Sequence, residues 1–155
     1  GPAASLGVSS QATIINRLID LQRKRDLSFL FISHDLSVVR HISNRIAVMY
    51  LGQIIEMANT DDIFQSAMHP YTSALLSAVP KVVIGQRVKR IVLKGDVPSP
   101  IDPGVGCRFA PRCWMSQDIC SRESPPLTEV APGHKVACHF HEKSRAEAEL
   151  LQNAQ

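Results

Sequence analysis

Four cysteines and one histidine are the side chains in this sequence best suited to chemistry. The cysteines stand at positions 107, 113, 120 and 138, with the spacing C-x5-C-x6-C-x17-C. Random placement would confine four cysteines to so narrow a window roughly 3% of the time, so the clustering calls for an explanation. Thiolates are soft ligands, and four of them on irregular loops suit either Zn²⁺ or an iron–sulfur cluster. The C-x2-C knuckles of common zinc modules are absent, and the longer gaps allow the wider span that a cubane requires. Unliganded thiols, or disulfides in one of three pairings, are the alternative. Arg108 and Arg112 flank the first two cysteines, where positive charge is expected to lower thiolate pKa and offset the charge of a cluster. His134, His139 and His141 lie near the last cysteine; solvent-facing positions suit them better than ligation. Trp114 either shields the site from water or packs this segment against the rest of the chain.

The histidine is His34, directly after the apolar run Ser28–Ile32. Taken alone, it reads as a strand-end histidine bonded locally. Asp35 is placed to cap a helix behind it.

The elements that must position these groups follow from periodicity. Residues 9–26 read as a helix, with Ser9 or Ser10 as cap, apolar residues at helical spacing and Arg23, Lys24 and Arg25 at its negative end. Residues 28–32 have the composition of a buried parallel strand. Leu36–Ile42 reads as a short helix, Arg45–Tyr50 as a strand, and Gln53–Met57 as its return after Leu51-Gly52. Thr60 is placed to cap a helix that begins Asp61-Asp62. His69-Pro70 starts another, ended by Pro80, with Tyr71, Leu75 and Leu76 as its apolar face. Residues 81–93 are basic and β-branched, which predicts a strand. The stretch 95–106, rich in proline and glycine, reads as a loop. Residues 107–138 show no period and need an internal staple, and the charged tail from Glu142 predicts a frayed helix. The fold class is α/β. About three strands make a small sheet, and strands apolar on both faces want cover, so the fragment is expected to dimerise or to complete a larger domain.

Composition excludes several classes. With 45% hydrophobic and 20% charged residues, the chain is neither disordered nor collagen-like. No run of 18 apolar residues spans a bilayer. A net charge of +3 and 5% aromatics make a poor case for nucleic acid, and Arg87, Lys89 and Arg90 read as a solvated strand face. Gly1-Pro2 reads as the scar of a cleaved tag, and no secretory signal is evident. The expected compartment is the cytosol, where clustered cysteines more often mean metal than disulfide.

Two stretches carry a family resemblance. SFLFISHDLSVVRHISNRIAVMYLGQIIEMA resembles the end of an ABC-transporter ATP-binding domain. HPYTSALLSAVP, then GDVPSP, GCRFAPRC, CSRESPPL and GHKVACHF, resembles the C-terminal extension of oligopeptide/dipeptide importer ATP-binding subunits. The resemblance implies a C-terminal fragment of a P-loop ABC ATPase domain over residues 3–67. An importer extension over 68–141, irregular and metal-stapled at 107–138, and a charged tail over 142–155 would follow. It implies that His34 is the switch histidine, facing a γ-phosphate and attacking water in the complete subunit. Ser5, Leu6 and Gly7 stand at the D-loop, with Gly7 where an aspartate is usual. Cys107, Cys113, Cys120 and Cys138 would hold a [4Fe-4S] cluster, with zinc as the alternative. The implied partners are a second ATP-binding subunit and transmembrane permease subunits, with the protein peripheral at the inner face of a bacterial cell membrane. The pattern G-x-x-x-x-G-K-[ST] does not occur in the sequence, so ATP and Mg²⁺ are expected only in the complete subunit. A free-standing iron–sulfur or zinc interaction module without ATPase chemistry is the other reading.

Overall fold

The computed structural model describes residues 8–79, 90–97, 99 and 104–153. The chain divides into two compact units, residues 1–44 and 45–155.

The first unit holds two helices. Helix α1 spans Val8–Arg25, so Ser9 and Ser10 lie inside it rather than at its cap. It ends with Asp26 at φ 51° and the Leu27 amide donating to the Gln22 carbonyl at 3.2 Å, the six-to-one closure of a left-handed C-terminal cap. Residues 27–33 belong to no helix or strand, which corrects the expectation of a buried parallel strand. A parallel strand is built only by hydrogen-bonded neighbours. None is present among the described residues, and Leu30 and Ile32 are 91% and 89% exposed. Helix α2, Leu36–Ile42, is capped by Asp35, whose Oδ1 accepts the amides of Ser37 and Val38.

The second unit is built on a four-stranded antiparallel sheet. Strands β1 (Arg45–Tyr50) and β2 (Gln53–Asn59) form the expected hairpin. Leu51 and Gly52 both take positive φ, as a two-residue hairpin turn of the right twist requires. Along β1, Ile46, Val48 and Tyr50 point into the core and alternate with exposed residues. A register shift beyond Val48 leaves Ile55 and Glu56 both buried. Two further strands, β3 (Thr128–Ala131) and β4 (His134–Val136), come from the cysteine segment, and the order is β1-β2-β4-β3. The aperiodic reading of residues 107–138 is thus corrected. Pro132-Gly133, with Gly133 at φ 72°, turns a hairpin there, and the segment also carries a 3-10 turn, Ala110–Arg112, and helix α5, Asp118–Arg122.

Helix α3, Thr60–Ser66, takes Thr60 as its first residue, with Asn59 at the cap position and no side-chain cap bond. Helix α4, Pro70–Ser77, starts as read: Pro70 needs no amide partner in the first turn, and His69 Nδ1 accepts the Tyr71 amide at 3.0 Å. Its buried face is Pro70, Thr72, Ser73, Ala74 and Ser77, not Tyr71, Leu75 and Leu76. Small residues win there because helix α6, His141–Asn153, lies against α4. Ser144 and Ala148 of α6 are buried, so the tail is a docked helix rather than a frayed one. Of the expected strand 81–93, residues 81–89 lie outside the described residues and 90–93 form no strand.

Candidate functional site

All four cysteines line one cleft in the second unit, together with His69, Pro70, Phe109, Met115, His139 and Phe140. Counting the space at its mouth, the cleft measures about 310 Å³. Cys107 ends the proline- and glycine-rich loop, Cys113 follows the 3-10 turn, Cys120 sits in α5, and Cys138 lies two residues beyond β4.

Short backbone bonds hold the first three in place. The Cys107 amide donates to the Cys120 carbonyl at 2.7 Å, and the Cys113 amide to the Ala110 carbonyl at 3.2 Å. Gly106 is required at that crossing. A Cβ there would stand 2.4 Å from the Cys120 carbonyl oxygen and 2.6 Å from that of Ser121. Phe109, 1% exposed, anchors the loop by packing on Tyr50 and Tyr71 at centroid distances of 5.3 and 5.4 Å. Arg108 donates from Nη1 to the Leu51 carbonyl, which pins the cysteine loop to the β1–β2 turn.

Burial dominates the thiols' electrostatics. It pushes Cys113 up to about 12 and Cys138 up to about 11, and raises Cys107 as well. The sulfurs also disfavour one another's negative charge, as groups sharing one cleft do. The expectation that Arg108 and Arg112 lower these thiols is therefore corrected. Arg108 is engaged with a carbonyl, and Arg112 acts on Tyr71. Favouring the thiolates instead are backbone amides: Phe109 and Ala110 at Cys107, Met115 at Cys113, and Phe140, whose nitrogen is 3.4 Å from Sγ, at Cys138. Among the described residues, no three His, Cys, Asp or Glu side chains close around a point as ligands of one metal ion would.

Beside the cleft lies a buried polar network absent from the sequence reading. Glu56, fully buried on β2, accepts the Met68 amide at 2.6 Å on Oε1 and the His69 amide at 3.1 Å on Oε2. His134 Nε2 lies 2.7 Å from Oε1. His134 is thus neither a ligand nor solvent-facing, because a buried carboxylate needs a donor more than the solvent needs an imidazole. Burial lowers His69 to about 4, against the opposing pull of Glu56, and keeps the ring neutral as a cap acceptor. His139 and His141 are half-buried and bond the Glu123 and Cys138 carbonyls at 3.0 and 3.3 Å. Trp114 packs on Ala74, Ile91 and Ala148 rather than lining the cleft.

His34 is in the first unit, exposed, one residue before the α2 cap. Ser5, Leu6 and Gly7 lie outside the described residues.

Residues 55–120 match the family model of the oligopeptide/dipeptide transporter C-terminal region. The chain is 49% identical over 142 residues to the oligopeptide transport ATP-binding protein AppF of Bacillus subtilis, covering 90% of this chain and 43% of that protein. It is 48% identical over 140 residues to the dipeptide transport ATP-binding protein DppF of Haemophilus influenzae, covering 90% and 42%. Over nine-tenths of its length the chain is thus similar to part of the ATP-binding proteins of oligopeptide and dipeptide transport. It spans less than half the length of these curated relatives. The matched region runs from β2 through Cys120, so it contains Glu56, the His69-Pro70-Tyr71 cap and three of the four cysteines. Among the described residues, no helix is long and apolar enough to cross a membrane.

Proposed function

We propose that this chain is the C-terminal part of the ATP-hydrolysing subunit of a peptide importer, and that Cys107, Cys113, Cys120 and Cys138 hold a [4Fe-4S] cluster. The carrying observation is that four thiols from four separate segments line one cleft. A mononuclear zinc site needs four donors about 2.3 Å from one centre, whereas a cubane takes each thiolate on its own iron and tolerates wider spacing. The donor set also fits in its second layer, because backbone amides point at three of the sulfurs, as they do around stable clusters. Bound there, the cluster supplies a four-point covalent staple and a one-electron centre. The chain's own residues do the rest. Phe109 and Arg108 fasten the loop to the sheet.

In the complete subunit, His34 supplies the imidazole that faces the γ-phosphate and the attacking water. Its support is its place after an apolar segment and before a capped helix, within the stretch resembling an ABC ATP-binding domain. The subunit works with a second ATP-binding subunit and permease subunits at the inner face of the membrane. Anaerobic purification followed by iron, sulfide and zinc analysis tests the cluster; stoichiometric zinc without iron overturns it. His34→Ala in the full-length subunit tests the histidine, and near-normal ATP turnover removes that role.

A further inference from the structure

Helix α6 bears on two walls of the thiol cleft at once. It begins at His141, directly after Cys138, His139 and Phe140, which line the cleft. Its first turn fastens that wall. The Lys143 amide donates to the Phe140 carbonyl at 3.1 Å, and His141 Nδ1 lies 3.3 Å from the Cys138 carbonyl oxygen. Further along the helix, Ala148 is buried in a cluster with Ala74 of α4 and Ile91. Trp114, the residue after Cys113, packs against that same cluster. The helix therefore reaches Cys138 through its start and Cys113 through Trp114.

The docking contact is weak for two physical reasons. Ala74, Ser144 and Ala148 are small and bury little apolar surface. Ser144 lies fully buried one turn before Ala148 on the same face, and its hydroxyl has no hydrogen-bond partner; nor has the buried Nε1–H of Trp114. Each of these groups regains a partner in water, so both favour release. A helix of 13 residues also has little stability of its own in water, so α6 depends on the contact.

We propose that α6 is a releasable clamp on the cleft: docked on α4, it holds the walls that carry Cys113 and Cys138, and its release opens both together. Access to the thiols then follows the docking of α6, whatever the thiols hold, so the proposal stands or falls apart from the cluster reading.

The test is amide hydrogen exchange of the whole chain, read by mass spectrometry, in wild type, Ala148→Arg and Ser144→Ala. Ala148→Arg forces a charge into the contact and is expected to speed exchange about tenfold in both 113–116 and 138–143, with the β1–β2 hairpin within about threefold of wild type. Ser144→Ala removes the unpaired hydroxyl and is expected to slow exchange about fivefold in the same two segments. Wild-type exchange in both segments of Ala148→Arg, or faster exchange in one alone, overturns the proposal. If Ala148→Arg loosens the hairpin equally or does not fold, Ser144→Ala decides. Slower exchange in both segments then upholds the clamp, and any other result there overturns it.

Discussion

Two stretches of this chain meet fates opposite to their composition. Residues 27–33 have strand composition, yet they hold no strand pairing, and Leu30 and Ile32 stand almost fully exposed. Residues 104–141 have loop composition, yet they are fixed by a hairpin, two short helical turns, a buried phenylalanine and a cleft of four thiols. Hydrophobicity alone does not organise a segment. Backbone polar groups must find partners, and the second stretch brings its own while the first needs them from elsewhere.

Breaking the thiol set is the sharpest way to test this contrast. Cys120→Ser removes the buried thiol whose carbonyl also receives Cys107, and it should abolish iron retention, read by metal analysis, while α1 keeps its helicity. Next in size, Phe109→Ala should lower stability to urea by about 3–5 kcal/mol, the range for emptying a buried aromatic site. A third test follows from burial of His69, whose native pKa is about 4 against 6.5 when unfolded. Above pH 6.5 both states are neutral and the group contributes nothing. As pH falls from 6.5 toward 4, only the unfolded state takes the proton, so stability should drop by about 3 kcal/mol and then level off. His69→Asn, which keeps a cap acceptor, should lose that part of the pH dependence in urea titrations. Gly106→Ala, which forces a Cβ onto two carbonyls, should cost about 1–3 kcal/mol by thermal melting. Smallest of all, Leu30→Ser should change the stability of this chain by under about 0.5 kcal/mol, since almost nothing covers that side chain. A large loss there would erase the difference between the two stretches.

Much of this was legible in the sequence, and where it was not the physical reason is specific. Helices α1, α2 and α4 announced themselves by period, caps and Pro70 at the first turn. The β1–β2 hairpin showed in its alternation and in Gly52. The cysteine cluster is visible as spacing, and all four cysteines line one cleft. The β3–β4 hairpin is signalled in the sequence only by the turn pair Pro132-Gly133, because strands of four and three residues are too short to show an alternation. Glu56 was missed for a deeper reason. A carboxylate in a strand looks solvent-facing, and its partners lie 12, 13 and 78 residues away, beyond the reach of local pattern. The direction of the thiol shifts was misjudged because neighbouring arginines are visible in sequence, whereas burial is not.

The most direct measurement is the iron, sulfide and zinc content of the anaerobically purified chain, with its visible absorbance. About four irons and four sulfides per chain, with brown colour, are the expected result. A colourless protein with one zinc, or with no metal and four reactive thiols, would contradict it.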